Sequence, residues 1–336
     1  MPKQLNPEYY AKYYALTLLL EVVSFKPFNV NRYYDLSNDR LEEFVVTALS
    51  TYEPSLKIAR DVLKLLRRGL KPCLGRYVYG IVKSFRGLCP KCGNTYLGSV
   101  LLMTPIEVAT ITSGSTDPKV IGKEVVKLLE ESTVDDSIYF YRAVRSSRPG
   151  AWLRKYVPKG SEPPDVFDPK YVSKLRSLGY NLYDVLKYSA KHDLVSAELV
   201  SGLKLINELA YPYLMSAVSE LRDLTLAITE TYMYLLSKVN DTLIIRKGGL
   251  DLARYVSGIA KEFIDAGGLR SGKGLRIIKK VIKEVIKYGS LINAGSVADV
   301  VNGALYIYLL NTGYVVIDKG LSNYWLRVLV SSFCPS

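Results

Sequence analysis

The chain has 336 residues, 49% hydrophobic and 23% charged, with 45 Lys and Arg against 32 Asp and Glu and a formal net charge of +13. That composition excludes an intrinsically disordered chain and allows a sizeable core in one large domain or two ordinary ones. A pI near 9.3 points to anionic partners such as nucleotides, nucleic acid or an acidic surface, or to the lysine-rich surface of a thermophile's protein.

Helical periodicity dominates from the start. Tyr9–Val23 follows Asn6-Pro7, a capping and first-turn pair, and Asp39–Thr51 and Ser55–Arg68 come next. Tyr96–Thr110 is almost wholly apolar and reads as a central helix that Pro105 kinks or splits. Pro118–Glu131 and Thr133–Arg145 follow, the latter with acidic residues in its first turn. Ser146–Asp168 holds Pro149, Pro158, Pro163 and Pro164 with Gly150 and Gly160, and reads as a long loop able to act as a lid. Helices are then expected over 169–177, Leu182–Lys191, Val195–Glu208, a long Tyr213–Val239, Leu250–Ala266, a basic Lys273–Tyr288 and an apolar Val297–Leu310. The glycine-rich Gly267–Gly274 reads as flexible surface, and only Tyr314–Ile317 suggests a strand. No period-2 runs or repeats occur, so the expected fold is all-α, a single domain over 1–336 around central apolar helices.

No secretory pattern or membrane span of about 20 apolar residues is read, which places the chain in the cytoplasm. Cys89-Pro-Lys-Cys92 is half of a zinc ribbon without its second pair; Cys73 and His192 are the remaining candidates to complete it. A disulfide among Cys73, Cys89 and Cys92, or free thiols, is the alternative. A basic stretch, Arg276–Lys287, leaves nucleic-acid binding open, but no helix-turn-helix or zinc-finger pattern accompanies it.

Three polar motifs stand before or within apolar helices: Lys26–Val30, Gly93–Gly98 and Asn293–Asp299. A polar loop ahead of a helix presents backbone N–H groups to phosphate, so the three together suggest a polyanion site assembled from distant segments. Their order, with Thr133–Asp136, Pro149-Gly150, His192–Leu194, Asp241-Thr242 and Arg246–Gly249, resembles the triphosphoribosyl-dephospho-coenzyme A synthase family from about Glu21 to Leu310. The resemblance implies a helical transferase that moves the triphosphoribosyl group of ATP to the ribose 2′-hydroxyl of 3′-dephospho-coenzyme A and releases adenine. The product is the prosthetic-group precursor for carrier subunits of citrate lyase and malonate decarboxylase.

Such a glycosyl transfer needs carboxylates, to take the hydroxyl proton and to face an oxocarbenium-like centre, and cations with Mg²⁺ for the triphosphate. The resemblance and the carboxylates' places at helix starts make Asp136, Asp193 and Asp299 the catalytic candidates. Asp299 stands out because a lone carboxylate in an apolar helix is costly without a partner. Asp136, Asp193, Glu198 and Asp241 are the metal candidates, and Lys26, Asn29, Asn94, Thr95, Arg246, Gly248 and Ser296 the phosphate-binding set. Two departures stand out: Phe28 replaces a motif glycine, where its ring is expected to fill the space of a phosphate, and Tyr96 replaces the histidine of bacterial members. They motivate one alternative, an inactive nucleotide- or coenzyme-binding paralogue.

Overall fold

The computed structural model describes residues 6–36, 39–150 and 162–318, and among them it is all-α. In chain order the helices are α1 (Pro7–Val23), α2 (Leu41–Ser50), α3 (Tyr52–Arg67), α4 (Leu74–Leu88), α5 (Leu97–Ser113), α6 (Pro118–Glu130), α7 (Val134–Ser146), α8 (Tyr171–Leu178), α9 (Leu182–Ser189) and α10 (Leu194–Val200). A π-helical turn, Ile206–Ala210, runs into α11 (Tyr211–Leu221), followed by α12 (Leu224–Lys238), α13 (Thr242–Gly248), α14 (Leu250–Asp265), α15 (Gly272–Tyr288) and α16 (Gly295–Thr312).

Caps readable in the chain set many of these starts. Asn6 accepts from the Glu8 N–H ahead of Pro7, Asp117 accepts from two N–H groups of α6, and Thr133 with Asp136 closes a capping box on α7. The centre is α5 and α16, packed on each other and on α1, with α12 closing the far side of α16. Nearly every residue of α16 is buried, so its few polar groups have to be accounted for one by one.

The structure differs from the sequence expectation at several points. Helix α4 is not foreseen because three glycines lie within it. One of them is required: a Cβ on Gly75 would come within 2.0 Å of the Asp136 carbonyl oxygen, where α4 crosses α7. Pro105 neither ends nor splits α5, since burial on all sides of that helix outweighs one missing hydrogen bond. The long helix expected over Tyr213–Val239 is two, because Arg222 turns left-handed (φ 52°) and Asp223 caps the second. Val195–Glu208 likewise divides into α10 and the π turn. Gly268 and Leu269 are buried rather than flexible surface, with the Leu269 N–H donating to Glu230. Tyr314–Ile317 pairs with no strand; the Val316 carbonyl accepts from the Leu224 N–H instead. Residues 151–161, the middle of the expected lid, lie outside the described residues.

Phe28 adopts the left-handed backbone (φ 70°) that glycine favours, yet its ring is fully buried in the core and forms no part of the cavity wall. The substitution therefore does not fill the binding space as expected. Its carbonyl accepts from the Ala294 N–H at 2.9 Å, which ties the N-terminal loop to the start of α16. Phe28→Gly relieves the backbone but removes the ring. We expect a net loss of about 2–4 kcal/mol, read as a lower midpoint in denaturant with an unchanged slope.

Candidate active site

A cavity of about 620 Å³ opens where the starts of α5, α10, α13 and α16 converge. Four helix starts border one space; those of α10 and α13 are capped by Asp193 and Asp241, which leaves the starts of α5 and α16 to favour an anion. One part of the wall is apolar, with Leu101, Phe140, Val144 and Val195; the other is dense in carboxylates and amides.

The polar part is organised by an ion pair that the sequence reading assigned otherwise. Lys26 is fully buried, and its ammonium donates to Glu21 Oε1 at 3.0 Å and to the Glu21 and Val30 carbonyls at 2.9 Å each. With three donors and three acceptors met, it has nothing left for a phosphate. Burial pushes the Glu21 carboxyl up and the Lys26 ammonium down, and their attraction opposes both shifts. Glu21 itself faces the cavity. Asn302 stands near it, holding its pKa down against burial, and donates at 2.9 Å to Ser99 Oγ, and Ser99 donates to Asp299 Oδ1 at 2.5 Å. Lys26 donates to Glu21, and beside that carboxylate a separate run of donation goes from Asn302 through Ser99 to Asp299.

Asp299 lines the cavity beside Gly98, where a Cβ would come within 2.0 Å of Oδ2. Burial holds its carboxyl well above the usual range; the Ser99 bond opposes this, and Glu21, Asp193 and Asp241 add to it. Asp193 also lines the cavity, accepting from the Ser196 N–H and hydroxyl and pairing with Arg246 at 2.9 Å. Lys247 stands near Asp39 on the wall, its ammonium pulled down by burial and raised again by that carboxylate. Asn29, Asn94, Thr95, Arg246 and Ser296 are wall residues too, and Ser296 accepts from Thr242 Oγ1 at 2.9 Å. Asn94 Oδ1 and Thr95 Oγ1 are buried with no hydrogen-bond partner. Tyr96 also contributes to the wall; its hydroxyl donates to the Leu18 carbonyl at 2.8 Å.

The other candidates lie elsewhere. Asp136 gives both oxygens to the protein, accepting from the N–H of Gly75 and the N–H and hydroxyl of Thr133, and it pins α4 to α7. Glu198 accepts from the Leu205 and Ile206 N–H groups, and Asp241 from those of Leu243, Ile244 and Val297. None of the three reaches the cavity, so the four-carboxylate metal set does not assemble. Gly248 ends α13, its missing Cβ leaving room for Leu252 at 2.4 Å. Among the described residues no group of three or more His, Cys, Asp or Glu could hold a metal, and Cys89 and Cys92 form a disulfide in place of a zinc half-site. Sequence reading missed Glu21, Ser99 and Asn302. Their signal was polar side chains in helices otherwise apolar.

One family model matches most of the chain, and two further proteins are similar to it. The model of the CitG family, ATP:dephospho-CoA triphosphoribosyl transferase, matches residues 7–316. The chain is similar, at 26% identity over 110 residues, to a curated protein of Acinetobacter calcoaceticus described as a candidate 2-(5''-triphosphoribosyl)-3'-dephosphocoenzyme-A synthase. That match spans 33% of the chain and 37% of the relative. A solved structure from Archaeoglobus fulgidus, described as a candidate triphosphoribosyl-dephospho-CoA synthase, superposes with a TM-score of 0.55 at 23% identity. It covers 77% of this chain and 98% of that one, and shows likeness of fold.

Two outcomes test this geometry. Lys26→Met leaves Glu21 buried without its counter-charge and is expected to destabilise the fold by about 3–5 kcal/mol in denaturant titration, whereas loss of a mere phosphate contact leaves stability unchanged. Glu198 has its pKa raised from 4.5 to about 7, chiefly by burial. The folded state therefore holds a proton that the unfolded chain releases, and stability falls as pH rises between those values, by about 3 kcal/mol. Glu198→Gln is expected to remove that part of the slope when denaturation midpoints are followed from pH 4.5 to 8.

Proposed function

The chain belongs to the ATP:dephospho-CoA triphosphoribosyl transferase family, and from that premise we propose that it transfers the triphosphoribosyl group of ATP to the 2′-hydroxyl of 3′-dephospho-coenzyme A. The observation that carries the reading is Asp299, a carboxylate raised by burial at the wall of a cavity ringed by helix N-termini. The described helices act as one domain in this proposal, and ATP as substrate supports a cytoplasmic setting.

The acceptor 2′-oxygen forms its bond to C1′ of ATP while the C1′–N9 bond breaks. Adenine leaves with that electron pair and takes up a proton. The hydroxyl proton passes to Asp299, whose carboxyl burial holds above its usual range. Glu21 and Asp299 together place negative charge where the ribosyl carbon becomes positive. The triphosphate meets Arg246, Lys247 and the N–H groups at the starts of α5 and α16, with Asn94, Thr95, Asn29 and Ser296 beside them. Mg²⁺ fits only as an ion carried on the phosphates, because Asp193 is the one metal candidate on the wall; it would neutralise phosphate charge there.

Phe28 gives no ground for an inactive paralogue, since its ring lies away from the cavity. The test is incubation with ATP, Mg²⁺ and dephospho-coenzyme A, followed by chromatography with mass detection. Free adenine and a triphosphoribosyl adduct are expected in equal amounts. Asp299→Asn is expected to lower turnover by roughly 100-fold or more with ATP affinity retained. Intact ATP after prolonged incubation, or full turnover by the variant, would overturn the reading.

A further inference from the structure

Helix α16 carries a polar stripe that the protein itself does not fully satisfy. Ser296, Asp299 and Asn302 recur at every third position, so they share one face and span about 9 Å of a helix otherwise apolar and buried. All three line the cavity, and Asn293 stands just before the helix on the same wall.

The bonding of Asn302 fixes which way its amide faces. The residue is 1% exposed, and its nitrogen donates to Ser99 Oγ at 2.9 Å on the side of the Glu21 carboxylate. Its oxygen is left buried with no partner, and so is that of Asn293, a residue 7% exposed. A buried carbonyl oxygen without a donor is destabilising, so two of them on one cavity wall require a ligand that donates. Phosphate oxygens do not qualify, since they only accept and would face Glu21 and Asp299. A sugar hydroxyl does: it is neutral, it donates, and it accompanies the ribosyl carbon to the carboxylates that stabilise it.

We propose that Asn302 and Asn293 form a subsite for the ribose hydroxyls of the nucleotide donor and so select ribonucleotides over deoxyribonucleotides. This rests on the transferase reading and adds the residues that recognise the sugar. Two other donors of the same kind exist, the adenine 6-amino group and the ribose of the acceptor, and the experiment separates them.

The intact protein is titrated calorimetrically with ATP, 2′-deoxy-ATP, 3′-deoxy-ATP and inosine triphosphate, which carries an oxo group in place of the amine. We expect at least one deoxy analogue to bind roughly tenfold or more weakly than ATP, with inosine triphosphate close to ATP. Asn293→Ala is expected to narrow the difference between ATP and that analogue. Equal binding of ATP and both deoxy analogues, alongside intact adenine release, would overturn the subsite and leave the transferase reading standing. Weak binding of inosine triphosphate alone would assign the oxygens to the base and overturn it as well. So would hydroxyl dependence seen only between dephospho-coenzyme A and its 2′-deoxy form. Failure of ATP itself to bind would overturn both readings.

Discussion

A buried ion pair between Glu21 and Lys26 is the constraint on which the site depends. Neither charge is solvated, so each has value only while the other is present. Lys26 satisfies the end of α1 and the loop after it, and this holds Glu21 at the cavity. Beside Glu21, bonds run from Asn302 through Ser99 to Asp299, so three segments more than 200 residues apart at their extremes meet in one polar cluster. One atom of that cluster, the Asn302 oxygen, has no partner, and in such a network an unmet atom is costly until a donor reaches it.

The helices supply the complementary half. The starts of α5 and α16 point N–H groups at the same space that Arg246 and Lys247 border. The proposed function thus sets cationic side chains and carboxylates to opposite tasks in one cavity: the first for the phosphates, the second for the sugar cation. Gly98 permits this closeness, because any side chain there would collide with Asp299. The Phe28 carbonyl fastens the Lys26 loop to the residue preceding α16, so the ion pair and the polar stripe are held in register.

Much of the helical framework was legible because caps and apolar periodicity act locally. Asn6-Pro7, Asp117-Pro118 and the Thr133–Asp136 box each announce a helix start without reference to the rest of the chain. What was not legible depends on distant partners. Gly75 looks like a helix breaker until the Asp136 backbone is beside it, and Pro105 like a kink until its helix is enclosed. The same holds within the site. Asp136, Glu198 and Asp241 share the pattern of Asp193 and Asp299, carboxylates near helix starts, but their oxygens are taken by backbone N–H groups. Lys26 was misread for the opposite reason: a lysine before proline looks solvated, and only its burial against Glu21 reveals a structural charge. Asp299 is anomalous in sequence alone, as a carboxylate in an apolar helix, and the structure places it on the cavity wall.

In the proposed function one cavity holds the triphosphate against the helix starts and the sugar against Glu21 and Asp299. A crystal structure of the protein with ATP, taken without the acceptor, tests it most directly. Phosphates are expected at the N-termini of α5 and α16 beside Arg246 and Lys247, with the ribose against Asp299 and Asn302. ATP bound elsewhere, or bound with its phosphates against Glu21 and Asp299, would contradict it.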